Sequence, residues 1–357
     1  MFIIKHMSGY PINININKPL SCIGFIILTS ILINGIIGLI ISLHINIDYY
    51  KTYISIQFLL LNNYYSYYII NVHSYITSII FISIYLHIIR SIYYHYYYYN
   101  YLVWFNGLYI LILMYAVCFC GYIIPCGELS IWGLIVISTM IDILNILRIV
   151  LGIIKCKDIN NNWTIKRFYI YHIVCYLLII GLIVIHVIYL HSIGSNNILG
   201  ISINSNVYLY PIIIILDVLG IHMVIILINC LVISCLGFTS NYNNIEVIEL
   251  LSAPLHICPE WYFLNLYLIL KVSPNKINGW LGIIYFILIL ISMLTYSSYV
   301  SNILLVCYIY IYSNVLICFI ICLYMYTMYC GILLINYIMI IYCRLLIFLL
   351  LFIFLML

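Results

Sequence analysis

Four histidines form two pairs with the same spacing in an otherwise apolar sequence. His73 and His87 are fourteen residues apart, and so are His172 and His186. In an α-helix, fourteen residues return to within about 40° of the starting direction and cover about 21 Å of the axis. Both members of a pair therefore lie on one helix face, at two depths of a hydrocarbon core about 30 Å thick.

Neutral imidazole is a good axial ligand for haem iron. Two helices with matching histidine ladders predict two imidazole–imidazole pairs, one near each membrane leaflet. Two histidines fill both axial positions of a haem, which favours electron transfer over oxygen binding. The alternative for a single histidine is a packing role, with its ring hydrogen-bonded to a neighbouring carbonyl, but this does not account for two equal spacings.

Four glycines repeat the same interval. Gly24 and Gly38 precede the first histidine pair, and Gly107 and Gly121 lie between the two pairs. Small residues let another surface approach a helix backbone closely. The glycines therefore predict room for flat porphyrins at two levels, and the spacing would be set by the distance between two cofactors. A helix-packing motif with a four-residue period is the alternative, and fourteen does not fit it.

The elements that carry these residues must be membrane helices. Hydrophobic residues make up 68% of the 357 residues and charged residues only 6%, whereas a soluble domain is about a quarter charged. The segment Cys22–Ile45 contains no Lys, Arg, Asp or Glu, and about 20 apolar residues suffice to cross a bilayer. The runs do not alternate as the strands of a membrane β-barrel would. An all-α polytopic membrane protein is predicted.

Polar interruptions divide the sequence into about eight transmembrane helices. We expect the first four to form a bundle that holds two b-type haems between facing helices. We expect residues 1–200 to form this haem-binding bundle and residues 201–357 to supply the C-terminal helices. The connections at 126–167 and 241–276 read as interfacial, non-spanning helices. The predicted spans are 22–44, 67–94, 104–125, 168–192, 211–236, 278–298, 300–324 and 331–356.

The abundance of Ile, Leu, Tyr and Asn indicates an A+T-biased genome, such as an organellar one. Most of the fourteen cysteines lie in apolar spans, where cysteine behaves as a small hydrophobic residue. No Cys-x-x-Cys-His motif for c-type haem attachment occurs, and no Cys/His cluster of Rieske type. Iron–sulfur and c-type haem centres are therefore expected on other chains.

Three further segments resemble the mitochondrial cytochrome b family when taken in order with the histidines and glycines. They are GYIIPCGELSIWG (Gly121–Gly133), LHSIGSNN (Leu190–Asn197) and CPEWYF (Cys258–Phe263). The resemblance is collinear over about residues 20–300. It implies the di-haem subunit of the ubiquinol–cytochrome c reductase complex (bc1 complex, complex III), a multi-pass protein of the mitochondrial inner membrane. Such a subunit oxidises ubiquinol at one membrane face and reduces ubiquinone at the other, coupled to proton translocation.

The resemblance also implies which residues hold the cofactors. His73 with His172 would bind the low-potential haem, and His87 with His186 the high-potential haem. Haem propionates need cations, and Arg90 and Arg167 match family arginines beside the two sites. The implied partners are the Rieske iron–sulfur protein, a c-type cytochrome and other complex III subunits in a homodimeric complex, with no nucleic acid.

Two quinone pockets follow from the same resemblance. Glu260 is a carboxylate among aromatic residues, where its pKa should rise, so it can accept protons from a quinol; Tyr122 and Tyr267 match positions that line this oxidation pocket. An intramembrane carboxylate such as Asp217 is costly and is a functional candidate. The resemblance places Asp217 around the quinone reduction pocket together with His191 and Ser195.

Three positions depart from the family pattern. Ile70 stands where the family has an arginine, so one propionate contact must be lost or replaced. Cys126 stands where a tryptophan is usual, and Leu216 where a lysine is usual. The last substitution weakens the basic lining expected of the reduction pocket.

Two alternative functions remain open at this point. A transporter could use intramembrane histidines as a proton relay, although a relay does not demand equal ladders or matching glycines. A different di-haem quinol-linked membrane cytochrome is the other alternative, and the Pro259–Tyr262 segment argues against it. A reduced-minus-oxidised optical spectrum separates the relay from the haem protein.

Overall fold

The structure is a computed structural model that describes residues 11–12, 22–93, 100–142, 162–193, 207–234, 258–296, 303–334 and 336–356. A two-residue antiparallel pair joins β1 (Pro11–Ile12) to β2 (Val207–Tyr208). Everything else of regular structure in the described residues is helical. The α-helices are α1 (Ile23–Ser42), α2 (Tyr49–Asn62), α3 (Tyr64–Tyr93), α4 (Tyr101–Ile123), α5 (Glu128–Asp142), α6 (Asn162–Ile193), α7 (Ile214–Ser234), α8 (Leu264–Val272), α9 (Lys276–Tyr296), α10 (Ile303–Ile332) and α11 (Tyr337–Met356).

The predicted all-α polytopic fold is confirmed. Within the described ranges, eight helices have 20 residues or more, namely α1, α3, α4, α6, α7, α9, α10 and α11. Among the residues that the structure describes, six stretches are long and apolar enough to cross a membrane. Five lie in α1, α3, α4, α6 and α10, and the sixth, Pro211–Ser234, covers α7 and the residues just before it. Helix α7 is preceded by a short π-helical turn, Leu209–Ile213.

Asparagine side chains mark the beginnings of several helices. Asn63 accepts the Tyr65 N–H before α3, Asn100 the Val103 N–H before α4, Asn275 the Asn278 N–H before α9, and Asn336 the Met339 N–H before α11. A side-chain oxygen at this position satisfies one of the N–H groups that the first helical turn leaves without a partner. Single asparagines thus mark four of the helix starts within nearly uniform apolar sequence.

The boundary between the last two helices differs from the prediction. Helix α10 ends at Ile332 rather than at 324, and α11 begins at Tyr337 rather than at 331. The predicted break rested on hydropathy, which hardly changes along this segment. The observed break falls where Asn336 caps α11.

The described chain forms two compact units. The first contains α1, α3, α4 up to Leu111, α6 from Leu178, and α7. In it α1 packs along α3, and α7 packs against both. Its buried side chains include Ile76, Ile80 and Phe81 of α3. The expected division of the chain near residue 200 stays a prediction.

The second unit contains α2 up to Phe58, α4 from Ile112, α5, α6 up to Leu177, and α8 to α11. Helix α2 is an additional helix that the sequence analysis did not predict. Asp48, just before it, pairs with Lys166 of α6 at 3.0 Å, and the Tyr49 N–H donates to Asn162 at 2.9 Å. Helix α8 packs against α9, α10 and α11, around the buried residues Leu268, Val272, Cys330 and Cys343.

Candidate functional site

Each of the three predicted site glycines in the first unit faces one histidine ring. A Cβ atom added to Gly24 of α1 would lie 3.8 Å from Cε1 of His87. One added to Gly38 of α1 would lie 3.1 Å from Cε1 of His73. On α4, one added to Gly107 would lie 3.3 Å from Cε1 of His186. The absence of a side chain at these positions is what lets the imidazoles lie against the neighbouring helix.

The fourth glycine shows the same arrangement in the second unit. A Cβ added to Gly121 would lie 2.7 Å from Cε1 and 3.0 Å from Nδ1 of His172, closer than real Cβ contacts allow. The four glycines and four histidines predicted from their spacing therefore meet one to one. Glycine is required here by the approach of a ring and not by the backbone conformation.

A backbone carbonyl orients the His172 ring. Its Nδ1 lies 2.8 Å from the carbonyl oxygen of Val117, four residues before Gly121 on α4. Because a carbonyl oxygen can only accept, Nδ1 must carry the proton and donate it. Nε2 then keeps its lone pair, which is the arrangement that metal-binding histidines show.

His186 meets the corresponding carbonyl less well. Val103 precedes Gly107 by four residues, and its carbonyl faces the His186 ring. Among the described residues, Nδ1 of His186 nevertheless has no hydrogen-bond partner within ordinary distance and angle limits, and the buried Nδ1 of His87 has none either. Hydrogen bonds within the described part of the chain therefore restrain these two rings less than they restrain the His172 ring.

The geometry of the His87–His186 pair fits a shared metal ion. The two ring centroids are 6.4 Å apart and the ring planes are inclined by 56°. Two metal–nitrogen bonds of about 2 Å each, plus about 1 Å from each nitrogen to its ring centre, give roughly 6 Å between imidazoles on opposite sides of one ion. The pair therefore suits bis-histidine ligation, with Gly24 and Gly107 leaving room beside it.

Polar groups that the sequence analysis missed connect α1 to the His73 turn. Asn34 donates to the Thr77 hydroxyl at 3.0 Å, and that hydroxyl donates to the His73 carbonyl at 2.9 Å. The Asn–x–x–x–Gly sequence of α1 offered a weak signal, since an asparagine inside an apolar span needs a partner.

The two predicted propionate-binding arginines lie near the ends of their helices. Arg90 follows His87 by one turn in the last turn of α3, and Arg167 precedes His172 in the first part of α6. Both side chains are partly buried. Each is therefore within one or two turns of the histidine to which it was assigned.

Glu260 begins a short 3-10 turn, Trp261–Phe263, that leads into α8. Its carbonyl accepts the Phe263 N–H at 2.9 Å, which closes the turn. Burial raises the pKa of the Glu260 carboxyl to about 7. The carboxyl group can therefore exchange a proton near neutral pH, as its surroundings in the sequence predicted.

Aromatic rings attach this turn to α4. The Phe263 ring lies 5.8 Å from that of Tyr115 and 6.4 Å from that of Phe119, measured between centroids. Tyr122 lies one turn further along α4, in the neighbourhood of Glu260. Phe263 was not identified from sequence because an aromatic residue in an apolar chain carries no distinguishing signal.

Tyr267 lies in the first turns of α8, and burial raises the pKa of its hydroxyl. The Lys271 ammonium lies 5.3 Å from the centre of the Tyr267 ring. Lys271 is a further residue beside the candidate pocket that the sequence analysis did not select.

The described residues predicted to form the quinone reduction site are not joined to one another by polar contacts. His191 is exposed near the end of α6, and Asp217 is partly buried in the first turn of α7. Within the described ranges no hydrogen bond or ion pair joins them. Ser195 lies outside the described residues.

Two family profiles match most of the chain. One, described as "Cytochrome b/b6/petB", matches residues 7–194, and the other, described as "Cytochrome b(C-terminal)/b6/petD", matches residues 247–352. Among solved structures, a chain of "Hyperthermophilic respiratory Complex III" is similar with a TM-score of 0.83 at 18% sequence identity. The match covers 99% of this chain and 94% of that chain, and at this identity it shows a shared fold.

Proposed function

The chain belongs to the cytochrome b family, and on that premise we propose that it is the di-haem subunit of a respiratory quinol–cytochrome c oxidoreductase. The observation that carries the proposal is the one-to-one contact of four glycines with four histidines at matched fourteen-residue intervals. A proton relay or a packing role for the histidines does not require that a glycine lie against each ring.

The histidines would bind two b-type haems. His87 and His186 would hold the high-potential haem, in keeping with their ring separation of 6.4 Å. His73 and His172 would hold the low-potential haem, one helical interval away along α3 and α6. Arg90 and Arg167 would bind propionates. When bound, the two haems would carry single electrons between the two membrane faces.

Glu260 would serve as the proton acceptor for quinol oxidation. A quinol loses two protons as it loses two electrons, so the pocket needs a base that can also release its proton afterwards. A carboxyl group whose pKa is about 7 meets both requirements at neutral pH. Tyr122 and Tyr267 would line the pocket, and the aromatic residues around Phe263 would exclude water from it.

Quinone reduction would take place at the other membrane face. His191 and Asp217 would supply protons to the quinone there, and Ser195 would contribute a hydroxyl. Release of protons at the Glu260 side and uptake at the His191 side would couple the reaction to proton translocation. The substrate pair would be ubiquinol and ubiquinone.

We further propose the mitochondrial inner membrane as the location, from the organelle-like composition. The catalytic partners would be a Rieske iron–sulfur protein and a c-type cytochrome in a homodimeric complex. One solved structure that resembles this chain is named as a respiratory complex III, which supports this assignment of partners.

Haem content and activity of the purified complex test the proposal together. A pyridine haemochrome assay should give about two b-type haems per chain, and the reduced-minus-oxidised spectrum should show their α bands. Quinol–cytochrome c reductase activity should co-purify with these bands. A complex without b-type bands would support the histidine-relay transporter, and bands without cytochrome c reduction would support another quinol-linked cytochrome.

A further inference from the structure

We propose that Lys271 is a positioning residue that holds the Tyr267 ring in place and fixes it to the C-terminal end of α10. The inference rests on the proposed function only in that Tyr267 is taken to line the quinol oxidation pocket. Lys271 itself is not assigned any contact with the quinol.

Two backbone carbonyls determine where the Lys271 ammonium lies. Its Nζ donates to the Leu333 carbonyl at 2.7 Å and to the Gly331 carbonyl at 3.3 Å. Helix α10 ends at Ile332, so these carbonyls belong to the end of the helix, where intrahelical partners are lacking. A cation at this end is also favoured by the helix dipole. The ammonium therefore has a fixed position that does not depend on Tyr267.

Tyr267 precedes Lys271 by four residues on α8, so the two side chains lie on the same helix face. The ammonium is 5.3 Å from the centre of the phenol ring, within the range of a cation–π interaction. Because α10 fixes the ammonium, the ring is the partner that must adjust. The orientation of Tyr267 is then determined by the end of another helix.

Close packing of α8 against α10 keeps the two helices, and with them Tyr267 and the carbonyls that bind Lys271, in fixed relative positions. A Cβ on Gly331 would lie 2.8 Å from the Leu264 carbonyl oxygen, so the helices touch through their backbones. Further along, the Thr327 hydroxyl donates to Asn265 at 2.7 Å, with both side chains buried. Helix α10 supplies no proposed catalytic group, and its part in the pocket is to hold α8.

Arg344 offers a matched control. Its Nε donates to the Val272 carbonyl at 2.7 Å, so it is also a basic side chain that binds backbone at the end of α8. Its bond is to the backbone of α8 and not to the Tyr267 ring. Removal of Arg344 should cost one hydrogen bond at the last residue of α8 and leave the cation above the phenol in place.

The test compares Lys271→Met, Lys271→Arg and Arg344→Met in the purified complex. Lys271→Met should raise the KM for quinol about fivefold, as expected for loss of one cation–π contact, and haem content should stay unchanged. Lys271→Arg should restore most of the affinity, because a guanidinium can also donate to carbonyls and stack on a ring. Arg344→Met should leave the KM unchanged. In a Tyr267→Leu background, Lys271→Met should have no further effect on KM.

Cryo-EM maps of the wild-type and Lys271→Met complexes provide a readout that does not depend on activity. The Tyr267 ring should be displaced in the variant and in its original place in Arg344→Met. An undisplaced ring, an unchanged KM, or an equal KM rise in Arg344→Met would overturn the proposal. If the wild-type complex did not oxidise quinol, the proposed function would fail, whereas the maps would still decide whether Lys271 holds the ring.

Discussion

Helix α6 carries two histidines that each face a glycine of α4, but the protein restrains the two imidazole rings to different degrees. At His172, Nδ1 donates to the Val117 carbonyl at 2.8 Å, and the ring lies so close to Gly121 that a Cβ would be only 2.7 Å from it. The protein alone fixes both the direction and the tautomer of this imidazole. The ring is ready to present Nε2 to a ligand.

At His186 the protein leaves the ring less determined. The hypothetical Cβ at Gly107 would be 3.3 Å away, and Nδ1 makes no hydrogen bond of ordinary geometry with Val103. What His186 has instead is a second imidazole, His87, at 6.4 Å. Equal spacing in sequence therefore predicts equal positions along the helix, but it does not predict equal restraint. At this end, fewer contacts with the described part of the protein restrain the histidine ring.

The largest effect should come from His186→Leu. Loss of one of the two histidines proposed to hold one haem should reduce the haem content from about two to about one per chain and abolish quinone reduction by quinol. The matched control is His222→Leu, since His222 is exposed on α7 and its ring bonds within its own helix, to the Val218 carbonyl at 2.8 Å. A pyridine haemochrome assay on both variants decides. If the His186→Leu variant still contained two haems, His186 would not be a haem ligand, and the comparison of the His172 and His186 ends would have no basis.

A graded series of glycine substitutions tests the difference in restraint directly. Gly121→Ala introduces a Cβ at 2.7 Å, Gly107→Ala one at 3.3 Å and Gly24→Ala one at 3.8 Å from a histidine ring. Overpacking typically costs about 1–3 kcal/mol, so Gly121→Ala should lose most of one haem and Gly107→Ala should lose less. Gly24→Ala should keep both haems. Haem content and thermal denaturation rank the three variants by the size of their effect. A reversed order would contradict the conclusion that the His172 ring is the most tightly packed against its glycine.

Glu260→Gln should affect only the candidate quinol oxidation pocket. Quinol oxidation should slow by about a hundredfold, the lower range for loss of a general base, with both haem spectra intact. Because a base works in its ionised form, the wild-type rate should rise with pH through about 7, the pKa of the buried carboxyl. The glutamine variant should lack this inflection. Loss of haem in Glu260→Gln would argue against a role confined to proton transfer.

The same substitution makes a prediction about stability. The folded protein holds the Glu260 proton up to about pH 7, whereas the ordinary pKa of such a carboxyl is 4.5. Between these values the folded state binds more protons than the unfolded state. The free energy of unfolding should therefore fall as pH rises through this window. Thermal denaturation of the Gln variant should show a weaker fall, and an unchanged pH dependence would mean that Glu260 is not the group responsible.

Much of this fold could be predicted from sequence because the bilayer imposes a simple rule on length and hydropathy. Where polar residues interrupt the apolar runs, as between α1 and α3, the long helices were located to within a few residues. Hydropathy failed in the last sixty residues, where it scarcely varies and the boundary depends on one capping residue, Asn336. It also missed α2, whose composition is too polar for a span.

The candidate site also has a part that the sequence could predict and a part that it could not. Spacing identified the histidines and glycines, because a helix converts a fourteen-residue interval into one face. Spacing could not reveal that Phe263 packs between Tyr115 and Phe119, or that Lys271 binds the end of α10. These contacts join residues far apart in the chain, and nothing in the local sequence distinguishes them. The functional roles of the site residues stay predictions.

The smallest expected effect concerns Asn100, at the His186 end. Its side chain caps α4 by accepting the Val103 N–H and also donates to the Tyr189 carbonyl of α6, each at 3.2 Å. Asn100→Ala should lower the free energy of unfolding by about 1–2 kcal/mol, the sum of a lost cap and a lost buried hydrogen bond. Asn63→Ala, which removes a cap alone, should cost less.

Thermal loss of the haem absorbance measures the two variants side by side. If the looser His186 end depends on Asn100 to hold α4 against α6, the haem assigned to His186 should dissociate at a lower temperature in Asn100→Ala, while the haem assigned to His172 should not. Equal behaviour of Asn100→Ala and Asn63→Ala would mean that the bond to Tyr189 adds nothing. The difference in restraint between the two ends would then have to reside in the glycine contacts and the Val117 hydrogen bond.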